Sequence, residues 1–395
     1  MSTFRLSTMV FLEGCKRNMK HLIIWELKRL FSKKYLLIMT FLLISLNVYI
    51  ICYEYDEYLN YAYLQENINE VLIDIEGNIT NEKTANAERK HTETLQLLDL
   101  DFESEEEGAQ VNLQRYFYAA YFDYLEVTPF PMEYGGEVYE SKQDIVNTLK
   151  QHEKDSSTYA ALHKYVSLVD KIEREKFYVM HYWKEIFQQH SLLFLMVTLI
   201  IAMSAVFGED YSRNVASLTL SATYGKTKLV KARIVAGALF AFCIYFSFYI
   251  VELITKFSLH GLNGYQGNVS ILGFLYLPNE TPLTILTIFT LFTIFASICL
   301  TFLTLAISLY TKRTIVTMIT MVIVIFSVES IKIPFIENFS LRQIVNNFTN
   351  SFSTYDPILF GPNLLSRPLY LLISLLFITI ISLIVILFKG KRQQI

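Results

Sequence analysis

Gly225-Lys226-Thr227 is the first triplet in this chain that invites a chemical reading, because it has the ending of a phosphate-binding loop. In such a loop backbone amides wrap a phosphate, the lysine neutralises it and the hydroxyl meets magnesium. The loop also needs a glycine five positions earlier, after an apolar strand. Here that position is Leu220, and what precedes it is an apolar span and a polar helix, so no phosphate cradle is expected. The seven histidines never take metal-ligand spacing; there is no His-Glu-x-x-His and no Gly-x-Ser-x-Gly. His181 and His190 stand before an apolar run and read as interfacial groups. The expectation is therefore no catalytic residue, no metal site and no cofactor held by this chain.

The charge distribution points elsewhere. Of 395 residues, 53% are hydrophobic and only 18% charged, where soluble domains carry about 25%. Residues 54–190 hold 28 acidic and 12 basic residues, a net of −16, while the rest hold 9 acidic and 22 basic, a net of +13. Segregation of this kind fits a chain that crosses a membrane. The four cysteines, Cys15, Cys52, Cys243 and Cys299, all lie outside the acidic segment, so no disulfide staples it.

A crossing helix needs about 20 mostly apolar residues. Six runs are predicted to span: 35–53, 191–207, 234–251, 283–310, 314–328 and 368–388. The fifth is the weakest and needs Glu329 at headgroups or buried. Lys312 and Arg313, in the turn 311–313, make the fourth and fifth either a tight antiparallel hairpin or one bent element. None of the six runs contains Asp, Glu, Lys, Arg or His. That argues against proton-driven transport, which uses intramembrane ionisable relays, and leaves sodium binding by carbonyls open. Segments 1–34, 208–233, 311–313 and 389–395 are basic; 54–190, 252–282 and 329–367 are acidic or neutral. By the positive-inside rule both termini are cytoplasmic. A cleaved signal peptide is the alternative for the first run, against which Tyr49-Ile50-Ile51-Cys52 lacks small residues. Translation starts at either Met1 or Met19.

The fold class expected is an all-α polytopic membrane protein with six transmembrane helices and a largely helical extracytoplasmic domain between the first two. Residues 20–34 read as an amphipathic helix on the inner membrane face. Ile23, Leu27, Leu30 and Phe31 repeat at helical spacing, Trp25 suits the interface, and Lys28, Arg29, Lys33 and Lys34 can meet anionic lipid. The alternative is a plain extension of the first span. In the acidic domain, Tyr53–Ile75 and Ser141–Gln189 suggest long helices, and Glu76–Glu107 a mobile arm or solvated helix. The aromatic run Phe117 to Tyr124 is a core, a membrane-grazing patch or a ligand site. Pro129, Pro131 and Gly135-Gly136 mark a loop. Residues 329–367 suggest a re-entrant outer segment, tolerable only where protein covers its backbone.

Between the second and third runs lies a charged elbow. Glu209 and Asp210 are expected to open a short helix, where negative charge suits the dipole. Val215, Leu218 and Ala222 give it an apolar stripe, Tyr224-Gly225 breaks it, and Lys226 to Arg233 begin the next helix. Such an elbow suits docking of a cytosolic partner; an ordinary polar loop is the plainer alternative. It resembles the elbow of membrane subunits of type-two ATP-binding-cassette exporters, in the form common in Gram-positive bacteria. Glu209, followed by Asp210 and Arg213, fits the acidic start. Leu218 and Leu220 fit the Leu-rich helix, Leu220 to Lys226 fits Leu-Ser-x-x-Tyr-Gly-Lys with Gly225 in it, and Lys226, Lys231 and Ala232-Arg233 fit the basic end. Asn214 stands where glycine is usual, and Arg233 replaces a closing lysine. The acidic domain is no part of that family's common layout.

The resemblance implies a plasma-membrane permease subunit paired with a second copy or a sister permease and with two separate ATPase subunits. These would use the ATP and Mg, with the elbow as docking site. The uncharged spans suit a lipid-like or amphipathic cargo, such as a peptide antibiotic. Nucleic acid is not an expected partner. The alternative is a membrane-tethered sensor or scaffold whose acidic domain binds a cationic ligand.

Overall fold

Long apolar runs can satisfy their backbone only internally, so helices dominate the chain. The computed structural model describes residues 19–62, 71–97, 105–126, 132–134, 137–139, 142–151, 157–172, 175–212, 227–272, 274, 276–277, 279–330, 348, 350–352, 358–360 and 363–391. The first helix, α1 (Met19–Phe31), turns Leu22, Glu26 and Leu30 inward. A break at Ser32-Lys33 leads to α2 (Lys34–Ala62).

The inserted segment builds small hydrophobic cores of its own. A helical stretch over 71–75 leads to β1 (Gly77–Asn78), α3 (Asn81–Leu97) and α4 (Glu105–Glu126). A hairpin of β2 (Met132–Tyr134) and β3 (Glu137–Tyr139) precedes α5 (Lys142–Gln151), α6 (Ser157–Val169), β4 (Lys176–Phe177) and α7 (His181–Phe187). The segment closes on itself where β4 pairs antiparallel with β1, Gly77 opposite Phe177. Phe117, Tyr118, Tyr121 and Tyr124 bury against Val71, Ile75, Ala87 and Phe177, so the aromatic run is core. A second core joins Ile145, Ala161, Leu162, Tyr165 and Val169.

Where long helices are expected over Ser141–Gln189, the described residues form the shorter α5, α6 and α7 and the strand β4. No glycine or proline marks the breaks, because tertiary pairing of β4 with β1 makes one of them. Within Glu76–Glu107, α3 is helical, with Ala87 and Thr94 buried. Pro129, Pro131 and Gly135-Gly136 lie outside the described residues.

The apolar bundle consists of α2, α8 (Leu192–Ser212), α9 (Lys228–His260), α10 (Pro282–Thr311), α11 (Thr314–Ser330) and α12 (Arg367–Lys391). Five of these, all but α11, lie in helical runs long and apolar enough to cross a membrane; for α8 that run begins at Trp183. The 17 residues of α11 extend about 25 Å at 1.5 Å per residue. Among the five, α8 is the most enclosed and α2 the least. At the hub α10 packs on α8, α9, α11 and α12. Its buried Thr293, Ser297, Thr301, Thr304 and Ser308 let helices approach closely, and Ser308 Oγ donates to the Ser204 carbonyl across the α8 contact at 3.0 Å.

Helix α10 starts at a Thr281 cap followed by Pro282 and ends at Lys312, whose φ of 55° is left-handed. That single reversal makes α10 and α11 a tight hairpin. The proposed re-entrant segment 329–367 falls mostly outside the described residues. Of its described part, Phe348 stacks on Phe292 at 3.5 Å between ring centres, and β5 (Ile358–Phe360) pairs with β6 (Asn363–Leu365).

Helices run past the apolar limits read from sequence. The third runs from Lys228 to His260 rather than over 234–251, and so includes Arg233, Glu252 and Lys256. The absence of ionisable groups therefore holds for the strictly apolar stretches and not for the helices that carry them.

Candidate functional site

Four parts of the chain converge beside the elbow. Helix α1 brings Glu26 and Arg29, the α1–α2 break brings Lys33, the last turn of α8 brings Glu209 and Asp210, and the first turns of α9 bring Arg233. Glu209 and Asp210 do not open a helix, as expected above; they lie near the C-terminus of α8. Carboxylates are unfavourable at that negative end of the helix dipole. Cations from elsewhere compensate them.

Arg233 Nε donates to Glu26 Oε1 at 2.9 Å, and its Nη2 donates to Asp210 Oδ2. Arg29 Nη1 donates to Asp210 Oδ1 at 3.3 Å, and its Nη2 donates to the Val206 carbonyl at 2.6 Å, capping the end of α8. Arg29 Nε also stands 3.3 Å from Glu26 Oε2. Lys33 Nζ donates to Glu209 Oε1 at 2.7 Å. Three carboxylates thus meet three cations, and the cluster is neutral. Its centre is sealed: the Arg233 and Glu26 side chains are 4% and 2% exposed. The guanidinium of Arg233 also covers the Phe207 ring at 4.9 Å. Burial, followed by the neighbouring charge of Arg233, holds the Arg29 pKa below its ordinary value, with Glu26, Asp210 and Glu209 opposing.

Glycine sets how closely α11 approaches this site. A Cβ on Gly208 would stand 2.6 Å from Thr314 Oγ1 and 2.7 Å from its backbone nitrogen, so only hydrogen fits there. Beside it, Lys312 covers the Tyr211 ring at 5.0 Å.

Arg213, Leu218, Leu220, Gly225 and Lys226 lie outside the described residues, so the elbow is seen only at its two ends. Lys231 is exposed on α9. On α1, Lys28 is exposed, Lys34 is exposed at the start of α2, and Trp25 is half-buried with Arg29 over its ring at 5.8 Å. Arg29 and Lys33, read as lipid-facing, turn inward to carboxylates, because Asp210 and Glu209 require neutralising. The structure thus brings Glu209, Asp210, Arg233, Arg29 and Lys33 together and leaves Lys28, Lys34 and Lys231 facing outward.

Glu26 was not expected here. Its spacing of three from Arg29, on the apolar stripe of an amphipathic helix, was the available signal. A second pair also escaped the sequence reading. Glu252 and Lys256, one turn apart near the other end of α9, are each 2% exposed and 3.0 Å apart. Glu252 accepts from the His190 and Ser191 amides at 2.9 and 3.2 Å and from the Ser191 hydroxyl. Lys256 donates to the Glu185 carbonyl at 2.9 Å and to that of Gln188. Among the described residues, no three His, Cys, Asp or Glu side chains gather in a group able to hold a metal ion.

Compared with known protein families, curated proteins and solved structures, the chain matches none. The fold itself defines a helical, polytopic membrane protein.

Proposed function

We propose that this chain is the permease subunit of an ATP-binding-cassette exporter, threaded six times through the plasma membrane with both termini in the cytosol. Helices α2, α8, α9, α10, α11 and α12 are the six spans, and the unit between α2 and α8 lies outside. The observation that carries the reading is the neutral ion cluster of Glu26, Arg29, Lys33, Glu209, Asp210 and Arg233. It ties the amphipathic helix to both ends of residues 213–226. An ordinary polar loop needs no such frame. A segment that must pass a push from a cytosolic motor to two spans does, because a loosely anchored lever absorbs the displacement.

In this reading, ATP and Mg are used by two separate ATPase subunits that dock on 213–226. Nucleotide shifts the transporter only if its two conformations contact that elbow differently. A second copy or a sister permease completes the pathway, and the dry bundle suits a lipid-like or amphipathic cargo such as a peptide antibiotic. Lys28 and Lys34 meet anionic lipid at the inner face.

The test is co-purification of the tagged full chain, in mild detergent, from cells that encode it. The proposal expects an ATPase with a phosphate-binding loop, retained by the native chain and lost when residues 214–222 are replaced by a Gly-Ser linker. A native chain that retains no ATPase contradicts it and favours the membrane-tethered sensor. Cargo is tested separately: cells lacking the chain become more sensitive to membrane-active peptides, and unchanged sensitivity across a panel removes the cargo assignment.

A further inference from the structure

Helices α7 and α8 are two parts of one apolar run, Trp183–Ser212, interrupted at residues 188–191. A continuous helix bonds each amide to the carbonyl four residues back, so the His190 and Ser191 amides would meet the carbonyls of Ile186 and Phe187. They meet Glu252 instead, and the Glu185 and Gln188 carbonyls meet Lys256. The carboxylate sits at the amide end of the break and the ammonium at the carbonyl end, each matching the helix dipole it faces. The pair therefore gives partners to two amides and two carbonyls that the interruption leaves without their helical bonds.

A buried junction requires partners for its backbone polar groups, and these four groups can find them in two arrangements. In the broken one, seen here, Glu252 and Lys256 cap the two ends. In a straight one, the run bonds to itself and the carboxylate and ammonium, one helical turn apart, keep each other. We propose that residues 188–191 form a two-state joint whose broken state is held by Glu252 and Lys256, and whose straight state makes α7 the continuation of α8.

What the joint would transmit follows from its ends. Just before α7 the Val179 amide donates to Glu76 of the inserted unit at 2.9 Å, and within α7 the Trp183 indole donates to the Asn263 carbonyl, in the segment after α9, at 2.8 Å. The last turn of helix α8 carries Glu209 and Asp210. When straight, the run is one rod from the inserted unit to the acidic end of α8; when broken, the two are mechanically separate. This inference does not depend on an ATPase partner, since it concerns the single chain.

The test uses the full chain in lipid nanodiscs with Trp25→Phe, which leaves Trp183 as the only tryptophan. Hydrogen exchange of the peptide covering residues 184–195 is read together with Trp183 emission and acrylamide quenching. Two exchanging populations are expected in this chain. The reversed pair, Glu252→Lys with Lys256→Glu, keeps an ion pair but presents each charge to the wrong helix end. It should leave one slowly exchanging population and move Trp183 emission to longer wavelength as the indole leaves Asn263. Unchanged emission and exchange in a folded reversed variant overturn the proposal. A single exchanging population in the Trp25→Phe chain alone also overturns it, whether or not the reversed variant folds.

Discussion

Arg233 and Glu26, 207 positions apart in the chain, meet at 2.9 Å in a site closed to solvent. This contact joins the amphipathic helix α1 to the first turns of α9, and Asp210 adds the end of α8 to the same guanidinium. Buried ion pairs gain little over apolar packing, yet removing one partner leaves a charge stranded in a poor solvent.

Replacing Arg233 with methionine should therefore cost about 3–5 kcal/mol, the usual scale for breaking a buried pair. Thermal unfolding in detergent would show it as a large loss. Lysine should recover only part, because one ammonium cannot serve Glu26 and Asp210 with the fork of a guanidinium. Unfolding of Arg233→Met at the native temperature would show that the pairing carries no weight.

The Lys33–Glu209 pair is more open, with side chains 10% and 23% exposed. A double-mutant cycle on Lys33→Gln and Glu209→Gln should give a coupling of up to about 1 kcal/mol, weakening as salt rises. A coupling as large as that between Arg233 and Glu26 would mean that the cluster is uniform rather than centred on Arg233.

Gly208→Ala should destabilise by about 1–3 kcal/mol, the range for overpacking, because its Cβ would collide with the backbone of Thr314. Gly390→Ala meets only the side chain of Val230, at 3.0 Å and beyond, and should be milder. Unfolding temperatures of the two variants compare them directly; equal losses would contradict the close approach of α8 and α11.

In the inserted unit, burial raises the Glu76 pKa above 4.5, opposed by the Val179 amide and by Lys83. A raised carboxyl pKa makes its stability contribution fully present below the unfolded value and lost as pH rises through the folded one. Glu76→Gln keeps an acceptor for Val179, so hydrogen exchange at β1 and β4 should slow relative to the native chain at about pH 7 and converge with it at about pH 4. Faster exchange at pH 7 in the variant would reverse the sign.

How far these features were readable from the sequence differs with their range. The apolar runs announce themselves, because a helix in hydrocarbon needs an unbroken stretch, and α10 and α12 lie within a few residues of the expected limits. Two charged residues between two runs left a tight hairpin or one bent element open, and the left-handed Lys312 makes it the hairpin. Helix ends were less legible: α9 extends to His260 with Glu252 and Lys256 paired to α7 and the 188–191 break, a tertiary effect absent from hydropathy. The same holds at the candidate site. Glu209 and Asp210 look like the start of a helix by dipole logic alone, and only Arg29, Lys33 and Arg233, brought from distant positions, make them tolerable at an end.

The most direct measurement is cysteine labelling in intact cells of a chain whose four native cysteines are serine. Glu93→Cys, in the inserted unit, should react with a membrane-impermeant maleimide, and Lys226→Cys, in the elbow, only after the membrane is opened. Labelling of Lys226→Cys from outside, or protection of Glu93→Cys, would contradict the six-span threading and the cytosolic docking site with it.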